Sequence, residues 1–418
     1  MDALMLPLNW QRVRLGDMTT SFTKQTGFDY SASIKPTLIK EQLPNYIPFI
    51  QNKDFLGHYI NYKTDYFIPN EIAIRFPQIL LNEKCLLISI SGAIGNVAVF
   101  NHSQDAFIGG AIAVLKFKEK KSLDFVMHFL MSANGQKLLL NSVKSSSHKN
   151  LTIADLRDLL IPLPPLNEQI AIANILSDLD HYLYSLDALI LKKESVKKAL
   201  SFELLSQRKR LKGFNQAWQK VRLGDIGITI SGLVGKTKQD FINGNAKYIT
   251  FLNVLNNVII DTSILENVKI YPNEKQNSFK KYDLFFNTSS ETPKEVGMCA
   301  VLLDDIDQVF LNSFCFGFRI FDKAVDGLFL SYLINSEIGR KAFENLAQGS
   351  TRYNLSKSGF NNVCLFLPPL DEQIAIANIL SGLDHEIISL KNKKRQFENI
   401  KKALNHDLMS AKIRVLKK

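Results

Sequence analysis

One stretch of eighteen residues occurs twice in the chain. Residues 164–181 read PPLNEQIAIANILSDLDH and residues 368–385 read PPLDEQIAIANILSGLDH, so the two copies differ at only two positions. The opening WQRVRLGD of residues 10–17 also returns, as WQKVRLGD at residues 218–225. The chain is therefore two copies of one unit, each a variable body followed by a nearly invariant tail.

The repeat divides the 418 residues into four segments. Residues 1–160 and 213–364 are predicted to form two mixed α/β bodies, and residues 161–212 and 365–418 two helical segments, which makes the fold class α+β. The two bodies differ from each other in sequence, whereas the two helical segments are nearly identical at their start. Either the bodies bind different ligands, or they have diverged by drift.

Short apolar runs separated by glycine, asparagine and proline predict strands in the first body, and one longer stretch has the 3.6-residue periodicity of a helix. The predicted strands lie at residues 46–50, 86–90, 96–100 and 111–117, and the predicted helix at residues 123–143. The second body repeats the plan, with residues 310–320 matching 107–117 and a helix at 328–346.

Each helical segment begins with a pair of prolines that ends the preceding strand. Asn167 and Asp371 are placed to cap the helices, and Glu168 and Glu372 lie in the first turn, where the helix dipole favours negative charge. Apolar residues then recur at intervals of three and four, the heptad spacing of paired helices. The predicted pairing residues are Leu176, Leu179, Leu183, Leu186, Ile190, Leu380, Leu383, Ile387 and Leu390.

We expect the two helices to pair as an intramolecular antiparallel coiled coil. At a rise of ~1.5 Å per residue, about 40 residues give a helix of ~60 Å, so the bodies would lie at opposite ends of a pseudo-twofold rod. Two alternatives stay open. The helices could be amphipathic helices packed on their own bodies, or they could form a seam for dimerisation.

Charge and cysteine content limit the class of protein. The formal net charge is +11, but about half of the excess lies on the helical segments, so a nucleic-acid footprint on the bodies must come from local clustering. The four cysteines form no C-x-x-C pair, which is typical of thiols in a reducing compartment. The sequence has no signal peptide and no apolar stretch of ~18 residues, so we expect a cytoplasmic protein without a membrane partner.

Motifs for catalysis or metal binding are not recognisable in the sequence. Residues 231–237 read SGLVGKT, but a phosphate-binding P-loop needs glycine where Ile230 stands. Residues 91–95, SGAIG, are interpreted as a turn between two strands. His181 and His385 match in the two tails and are predicted to be helix-surface or interface residues rather than catalysts. We therefore expect a non-catalytic chain with no metal site.

Polar and basic loops of the two bodies are the better candidates for a binding site. Serine, threonine, asparagine, arginine, lysine and tyrosine are the side chains that bond phosphates and base edges. The DNA-binding candidates are Lys24, Lys53, Ser146, His148, Lys149, Asn150, Lys236, Lys238, Ser350, Thr351, Arg352, Tyr353 and Asn354. The alternative is a polar surface loop in which Asn150 and Asn354 cap the next helical turn.

The doubled block resembles the specificity subunits of type I restriction-modification systems. The residues that carry the resemblance are P-L-P-P-L-x-E-Q-I-A-I-x-x-x-L-x-x-x-D at 162–180 and its copy ending at Asp384, where Phe366 replaces the first proline. The resemblance covers essentially the whole chain. It implies two target-recognition domains, each reading one half of a bipartite, asymmetric sequence in double-stranded DNA.

The same resemblance implies partners that perform the chemistry. Two methyltransferase subunits would dock on the helical pair, which also acts as a spacer, and restriction subunits would complete the complex. S-adenosylmethionine, ATP and Mg would then belong to those subunits, and none of these cofactors to this chain. We expect basic loops to grip phosphates first and loop side chains then to read base edges in the major groove.

Two other functional classes remain as alternatives. A self-sufficient nuclease or methyltransferase with an unrecognised site would modify DNA without partners. A bivalent coiled-coil scaffold for proteins would show no salt-dependent binding of DNA.

Overall fold

The computed structural model describes residues 7–24, 30–143, 150–344, 346–347, 349 and 352–415. The chain forms two compact units: residues 1–187 with 393–418 make unit 1, and residues 188–392 make unit 2. Each unit therefore contains one body, the beginning of one long helix and the end of the other. Among the described helices, none has a stretch long and apolar enough to cross a membrane.

In its described residues, unit 1 contains twelve short strands, four short α-helices and part of each long helix. The strands are β1 Gln11–Arg14, β2 Thr19–Lys24, β3 Tyr46–Ile50, β4 Phe55–Leu56, β5 Tyr59–Ile60, β6 Phe67–Pro69, β7 Leu80–Leu81, β8 Cys85–Ser89, β9 Val97–Phe100, β10 Ala106–Ile108, β11 Ile112–Phe117 and β12 Leu160–Leu163. The helices are α1 Asn70–Ala73, α2 Leu123–Met131, α3 Ala133–Asn141, α4 Ile153–Arg157 and the long α5 Leu166–Leu205, which continues into unit 2. The four strands predicted for this body are confirmed to within one residue.

Unit 2 repeats this order of elements. Its strands are β13 Gln219–Arg222, β14 Gly227–Ser231, β15 Ala246–Ile249, β16 Glu266–Val268, β17 Leu284–Asn287, β18 Ser289–Ser290, β19 Cys299–Val301, β20 Val309–Leu311, β21 Cys315–Ile320, β22 Tyr353–Asn354 and β23 Cys364–Leu367. Its helices are α6 Leu223–Ile226, α7 Phe251–Asn256, α8 Gly327–Asn335, α9 Glu337–Glu344, α10 Lys357–Asn361 and the long α11 Leu370–Met409, which ends in unit 1.

The sheets of the two units have matching strand orders, apart from β7 of unit 1, which has no counterpart among the described strands of unit 2. Unit 1 has four-stranded sheets of order β2-β11-β8-β9 and β6-β3-β10-β7, and unit 2 has sheets of order β14-β21-β17-β19 and β16-β15-β20. In both units the strand that opens the repeat pairs antiparallel with the strand that leads into the long helix, β1 with β12 and β13 with β23. The predicted α+β class with two mixed bodies is confirmed.

Strand β8 shows why the predicted strands are continuous apolar runs. Leu86 and Ile88 belong to the core cluster that α2 covers, while Cys85 and Leu87 belong to a second cluster with β3 and β10. Successive side chains of a strand point to opposite faces, so a strand between two cores needs apolar residues at every position.

The helix predicted at residues 123–143 is two helices, α2 and α3, with a break at Ser132. The Ser132 hydroxyl caps α3 by accepting a hydrogen bond from the backbone N of Gly135 at 3.1 Å. A Cβ on Gly135 would lie 2.0 Å from the carbonyl oxygen of Phe129, so the turn also requires glycine. Unit 2 repeats the break with Ser336 and Gly339, between α8 and α9.

The repeated tail motif is explained by contacts at the start of each long helix. In α5, Gln169 donates to the carbonyl of Pro164 at 2.7 Å, and the buried carboxylate of Glu168 accepts two bonds from Arg414 at 2.6 and 2.7 Å. Ile172 and Leu176 then enter the core of the body. In α11, Gln373 donates to the carbonyl of Pro368 and Glu372 accepts two bonds from Arg210. Ile376 and Leu380 enter the core of the second body.

The long helices are antiparallel within each unit. In unit 1, Asp180 is bonded to Lys401 and Asp187 to Lys394 at 2.6 Å, so residue numbers fall along α11 as they rise along α5. In unit 2, Lys193 bonds Glu386 at 2.5 Å, and Lys197 bonds Asp384. Antiparallel pairing within one chain is confirmed. The helices also pack on their bodies, since residues of both helices belong to each body core.

The predicted pairing residues differ in how deeply they are buried. Leu176, Leu186, Ile190, Leu380 and Ile387 are buried, with Leu176 and Leu380 inside the body cores. Leu179, Leu183, Leu383 and Leu390 are half-buried.

Substituting Gly135 by alanine should destabilise unit 1. The added Cβ collides with the Phe129 carbonyl, and we expect a loss of about 2–3 kcal/mol, typical of overpacking, seen as a lower melting temperature. Gly382→Ala is the matched control. Its Cβ would meet nothing within 4 Å on α11, so it should stabilise the chain by about 0.5–1 kcal/mol. Equal effects of the two substitutions would contradict this account of the break.

Candidate nucleic-acid interface

Several loops of unit 1 meet at one edge of its sheets. The ends of β2 and β8 lie beside the start of β11, because Lys24 pairs with Ala113 and Ser89 with Ile112. Strand β10 runs parallel to β3, so both also end there. We call residues 24, 51–53, 90–95, 109–111 and 150 the loop edge of unit 1.

Hydrogen bonds hold these loops together. The backbone N of Gly109 donates to Ile50 at 2.8 Å, and the backbone N of Ile90 donates to Ala111 at 2.8 Å. The side-chain amide of Asn52 donates to the carbonyl of Ser91 at 2.6 Å. Between residues 51–53 and 109–112 lies a recess of about 300 Å³.

Unit 2 has an equivalent loop edge, formed by residues 231–233, 288–290, 312–314 and 352–357. The backbone N of Asn312 donates to Ile249 at 3.0 Å, and the backbone N of Thr288 donates to Phe314 at 2.9 Å. These bonds repeat those of Gly109 and Ile90 in unit 1. The two units therefore share one backbone arrangement at this edge, with different side chains on it.

The structure brings three of the DNA-binding candidates to the loop edge of unit 1. Lys24 is half-buried at the end of β2. Lys53 lines the recess and is bonded to Asp65, which raises the pKa of its ammonium group. Asn150 forms an isolated bridge with Ser91. The other candidates of this body, Ser146, His148 and Lys149, lie outside the described residues.

The loop edge of unit 2 contains Arg352, Tyr353 and Asn354, while Ser350 and Thr351 lie outside the described residues. Tyr353 and Asn354 form β22, which pairs with β18, and the Arg352 guanidinium lies 5.7 Å from the ring centroid of Phe314. The pairing of β22 with β18 fixes the backbone of Tyr353 and Asn354 against the β17–β19 connection.

Lys236 and Lys238 lie elsewhere, next to the end of β16. The Lys236 ammonium is largely buried and donates to the Lys269 carbonyl at 2.6 Å and to Glu274 at 2.5 Å. The bond from Lys236 is the main reason that the pKa of Glu274 is lowered to about 2. Lys236 thus pairs with a neighbouring carboxylate, whereas Lys238 is exposed at the start of a 3-10 turn.

The alternative in which Asn150 and Asn354 cap the following helices is wrong. The caps come two residues later, where the hydroxyls of Thr152 and Ser356 accept hydrogen bonds from the first turns of α4 and α10. Hydroxyl and amide side chains compete for such positions, and sequence spacing alone did not separate them.

Phe314 and Lys357 of the unit 2 edge were not among the candidates. Phe314 is 55% exposed, and the Lys357 ammonium donates to the hydroxyl of Ser231 at 2.9 Å. A signal for Phe314 does exist in the sequence. When residues 107–117 are aligned with 310–320, a phenylalanine in a loop stands where the first body has Ala111.

A polar cluster joins each long helix to its body. In unit 1, Asp180 is bonded to Lys401, and its carboxylate lies 3.2 Å from the ring of His58. The ring of His128 lies 4.0 Å from the same carboxylate and is bonded to the hydroxyl of Ser177 at 3.1 Å. Burial is the main cause that lowers the pKa of His58 and lowers that of His128 to about 3. Both rings are therefore neutral near pH 7.

In unit 2 the equivalent cluster contains tyrosine in place of histidine. The Tyr332 hydroxyl donates to Asp384 at 2.6 Å, and Asp384 also bonds Lys197. Burial, together with this bond, raises the pKa of Tyr332. His181 and His385 are exposed on the helix surface, as predicted. Within the described part of the chain, no three His, Cys, Asp or Glu side chains are grouped as ligands for a metal.

Comparisons with known proteins agree on one family. A family model described as type I restriction modification DNA specificity domain matches residues 7–193 and 215–399. The chain is 26% identical to the MjaVIII type I restriction enzyme specificity subunit of Methanocaldococcus jannaschii, over 99% of this chain and 95% of the relative. It is also 26% identical to the putative MjaX specificity subunit of that organism, over 77% of this chain and 76% of the relative.

Solved structures share the fold at lower sequence identity. The S subunit of a type I restriction-modification system from M. genitalium is 17% identical, with a TM-score of 0.62 over 96% of this chain and 98% of that chain. A chain from a structure of type I R-M complex assembly is 16% identical, with a TM-score of 0.53 over 97% of this chain and 98% of that chain.

The histidine cluster should make the stability of unit 1 depend on pH. The unfolded chain protonates His128 near its ordinary pKa of 6.5, whereas the folded chain does so only near 3. The stability from the neutral ring is thus present above pH 6.5 and is lost as the pH falls below it. Between pH 7 and pH 5, the free energy of unfolding of His128→Tyr should therefore fall by about 1–2 kcal/mol less than that of wild type.

Melting temperatures measured across this pH range test the prediction. Tyr332→Phe is the control, because it removes a hydrogen bond of unit 2 without removing a group that titrates between pH 5 and 7. Its effect should be the same at both pH values. If the melting temperatures of His128→Tyr and wild type change equally with pH, His128 does not cause the pH dependence.

Proposed function

The chain belongs to the type I restriction modification DNA specificity domain family, and we propose that it supplies the DNA sequence specificity of such a complex. Each unit reads one half of a bipartite, asymmetric sequence in double-stranded DNA. The observation that carries this proposal is the repeated loop edge. The same backbone hydrogen bonds recur in both units around different side chains. Two such readers in one chain suit an asymmetric target, where two identical copies would suit a palindrome.

Binding proceeds in two steps on this proposal. Lysine and arginine side chains of the bodies contact phosphates first, which is independent of sequence and weakens as salt rises. Side chains of the loop edges then reach base edges in the major groove, where the four base pairs present different donors, acceptors and methyl groups. In unit 1 this role falls to Lys24, Lys53 and Asn150, and in unit 2 to Arg352, Tyr353 and Asn354.

The paired helices serve as spacer and docking site. Interhelical ion pairs occur in both units, for example Asp187 with Lys394 and Lys193 with Glu386, and they hold α5 and α11 in one register. A fixed register sets a fixed distance between half-sites. Two methyltransferase subunits dock on the helical segments 161–212 and 365–418, and restriction subunits join the complete assembly.

Catalysis belongs to the partner subunits on this proposal. S-adenosylmethionine, ATP and Mg are bound by them, and this chain is a non-catalytic recognition subunit that acts on DNA in the cytoplasm. The test is to purify the chain with and without methyltransferase subunits. Salt-dependent, sequence-specific DNA binding by the assembly, with no modification of DNA by the chain alone, is the expected result. Modification of DNA by the chain alone would indicate a self-sufficient enzyme. If the chain binds no DNA either with or without methyltransferase subunits, it is a scaffold for proteins.

Exchanging one body should change half of the recognised sequence. We expect that replacing residues 1–160 by the first body of another family member alters one half-site and leaves the other intact, because each loop edge is built within its own body. Mapping of methylated bases measures this. The reciprocal exchange of residues 213–364 is the matched control and should alter the opposite half. Changes in both halves from one exchange would contradict modular recognition.

Lengthening both helices by one heptad should lengthen the gap between the half-sites. Seven residues inserted after Ile190, with a matching seven after Leu390, add about 10 Å of helix, or about three base pairs of DNA. The half-sites themselves should not change. A heptad in α5 alone is the control, and it should prevent assembly because the ion pairs lose their register. An unchanged gap in an active double insertion would rule out the spacer role.

A further inference from the structure

We propose that Phe314 is a specificity-determining residue of unit 2, whose ring packs against the C5-methyl group of a thymine in the major groove. This inference rests on the proposed function and deepens it. It assigns one side chain of the loop edge to one chemical group of the DNA.

The backbone on both sides of Phe314 is fixed. Its N–H donates to the side-chain oxygen of Asn312 at 2.9 Å, and its carbonyl accepts from the backbone N and the hydroxyl of Thr288 at 2.9 and 2.8 Å. Asn312 is in turn bonded to Ile249 at 3.0 Å. The loop therefore cannot turn its side chain into the core without breaking these bonds.

The ring of Phe314 stays at the surface in polar surroundings. It is 55% exposed, although the neighbouring aromatic rings of β21, Phe316 and Phe318, are buried. Covering this ring with an apolar group of a ligand removes apolar surface from water, which favours binding. The shape and position of this ring suit a ligand with a small apolar group at an otherwise polar surface.

The charges near the ring identify the class of ligand. The Arg352 guanidinium lies 5.7 Å from the ring centroid, and the Lys357 ammonium is bonded to Ser231 on the same loop edge. These two cations suit the phosphate groups of a nucleic acid. The thymine methyl is the apolar group that B-DNA displays in its major groove, and phenylalanine is among the side chains that contact it.

Unit 1 has no counterpart of this ring. At the same backbone positions, residues 109–111 are Gly-Gly-Ala where residues 312–314 are Asn-Ser-Phe, and the recess of about 300 Å³ opens beside them. The two half-sites should therefore differ in this contact, since only the half read by unit 2 meets an aromatic ring at this place.

The experiment uses the full chain assembled with methyltransferase subunits. Once the half-site of unit 2 is assigned by body exchange, each thymine in it is replaced by uracil, which removes only the methyl group. At one position the wild type should bind about fourfold more weakly, the value for one buried methyl group. Phe314→Ala should bind thymine and uracil duplexes equally well. Phe321→Ala is the matched control, since that ring is 60% exposed at the other end of β21 and should leave the fourfold preference intact.

Two results would overturn the inference. One is a unit 2 half-site without thymine. The other is an equal loss on uracil substitution in wild type and in Phe314→Ala. Both leave salt-dependent binding to DNA intact, which separates them from failure of the proposed function, where no assembly binds DNA. The first of these results needs no variant, so the inference can be overturned even if Phe314→Ala folds poorly.

Discussion

Both units depend on an ion pair between a buried glutamate at the start of one long helix and an arginine that follows the other. Glu168 and Glu372 are almost inaccessible to solvent, and each accepts two hydrogen bonds from an arginine that follows the other helix, Arg414 or Arg210. Removing the arginine would leave the buried carboxylate without its cation, which destabilises the unit because that charge is poorly hydrated. Each body is therefore closed by residues distant in sequence. A cut between residues 160 and 161 would separate the first body from α5 and from Leu408 and Met409, which complete its core.

The junction between helix and body shows how far the repeat constrains sequence. Asp180 and Asp384 occupy equivalent sites and each bonds a lysine of the opposite helix, Lys401 or Lys197. The third member comes from the body and differs, histidine at 128 and tyrosine at 332. Tyr332 donates a hydrogen bond to Asp384, whereas the ring of His128 lies 4.0 Å from Asp180 and is bonded to Ser177. The two side chains therefore fill equivalent places with different hydrogen bonds. The aspartate on the helix cannot vary in this way, because it contacts both its own body and a lysine of the partner helix. This explains why the tails remain nearly identical while the bodies diverge.

Much of the scaffold could be predicted from sequence, because strong periodic signals decide it. Strands such as β8 are read correctly since burial on both faces makes them continuous apolar runs, and the heptad spacing indicates that the long helices pair. The break at Ser132 was missed because its cause is local and steric: a hydroxyl cap and the close approach of Gly135 to Phe129 leave the apolar periodicity almost unchanged. The position of Lys236 was also unpredictable. Its partner Glu274 lies 38 residues away, and no short-range pattern indicates their contact.

The loop edges show how one scaffold can carry two readers. Their position is set by backbone hydrogen bonds, from residue 109 to Ile50 in unit 1 and from residue 312 to Ile249 in unit 2, and a backbone bond does not depend on the side chain that it carries. Substitutions at these places change the chemistry presented to a ligand without moving the loop. The core beneath cannot change as freely, since its side chains fill a fixed volume. The residues that could distinguish one DNA sequence from another are therefore those that contribute least to stability, and a change at Phe314 or Ala111 can alter recognition while the fold persists.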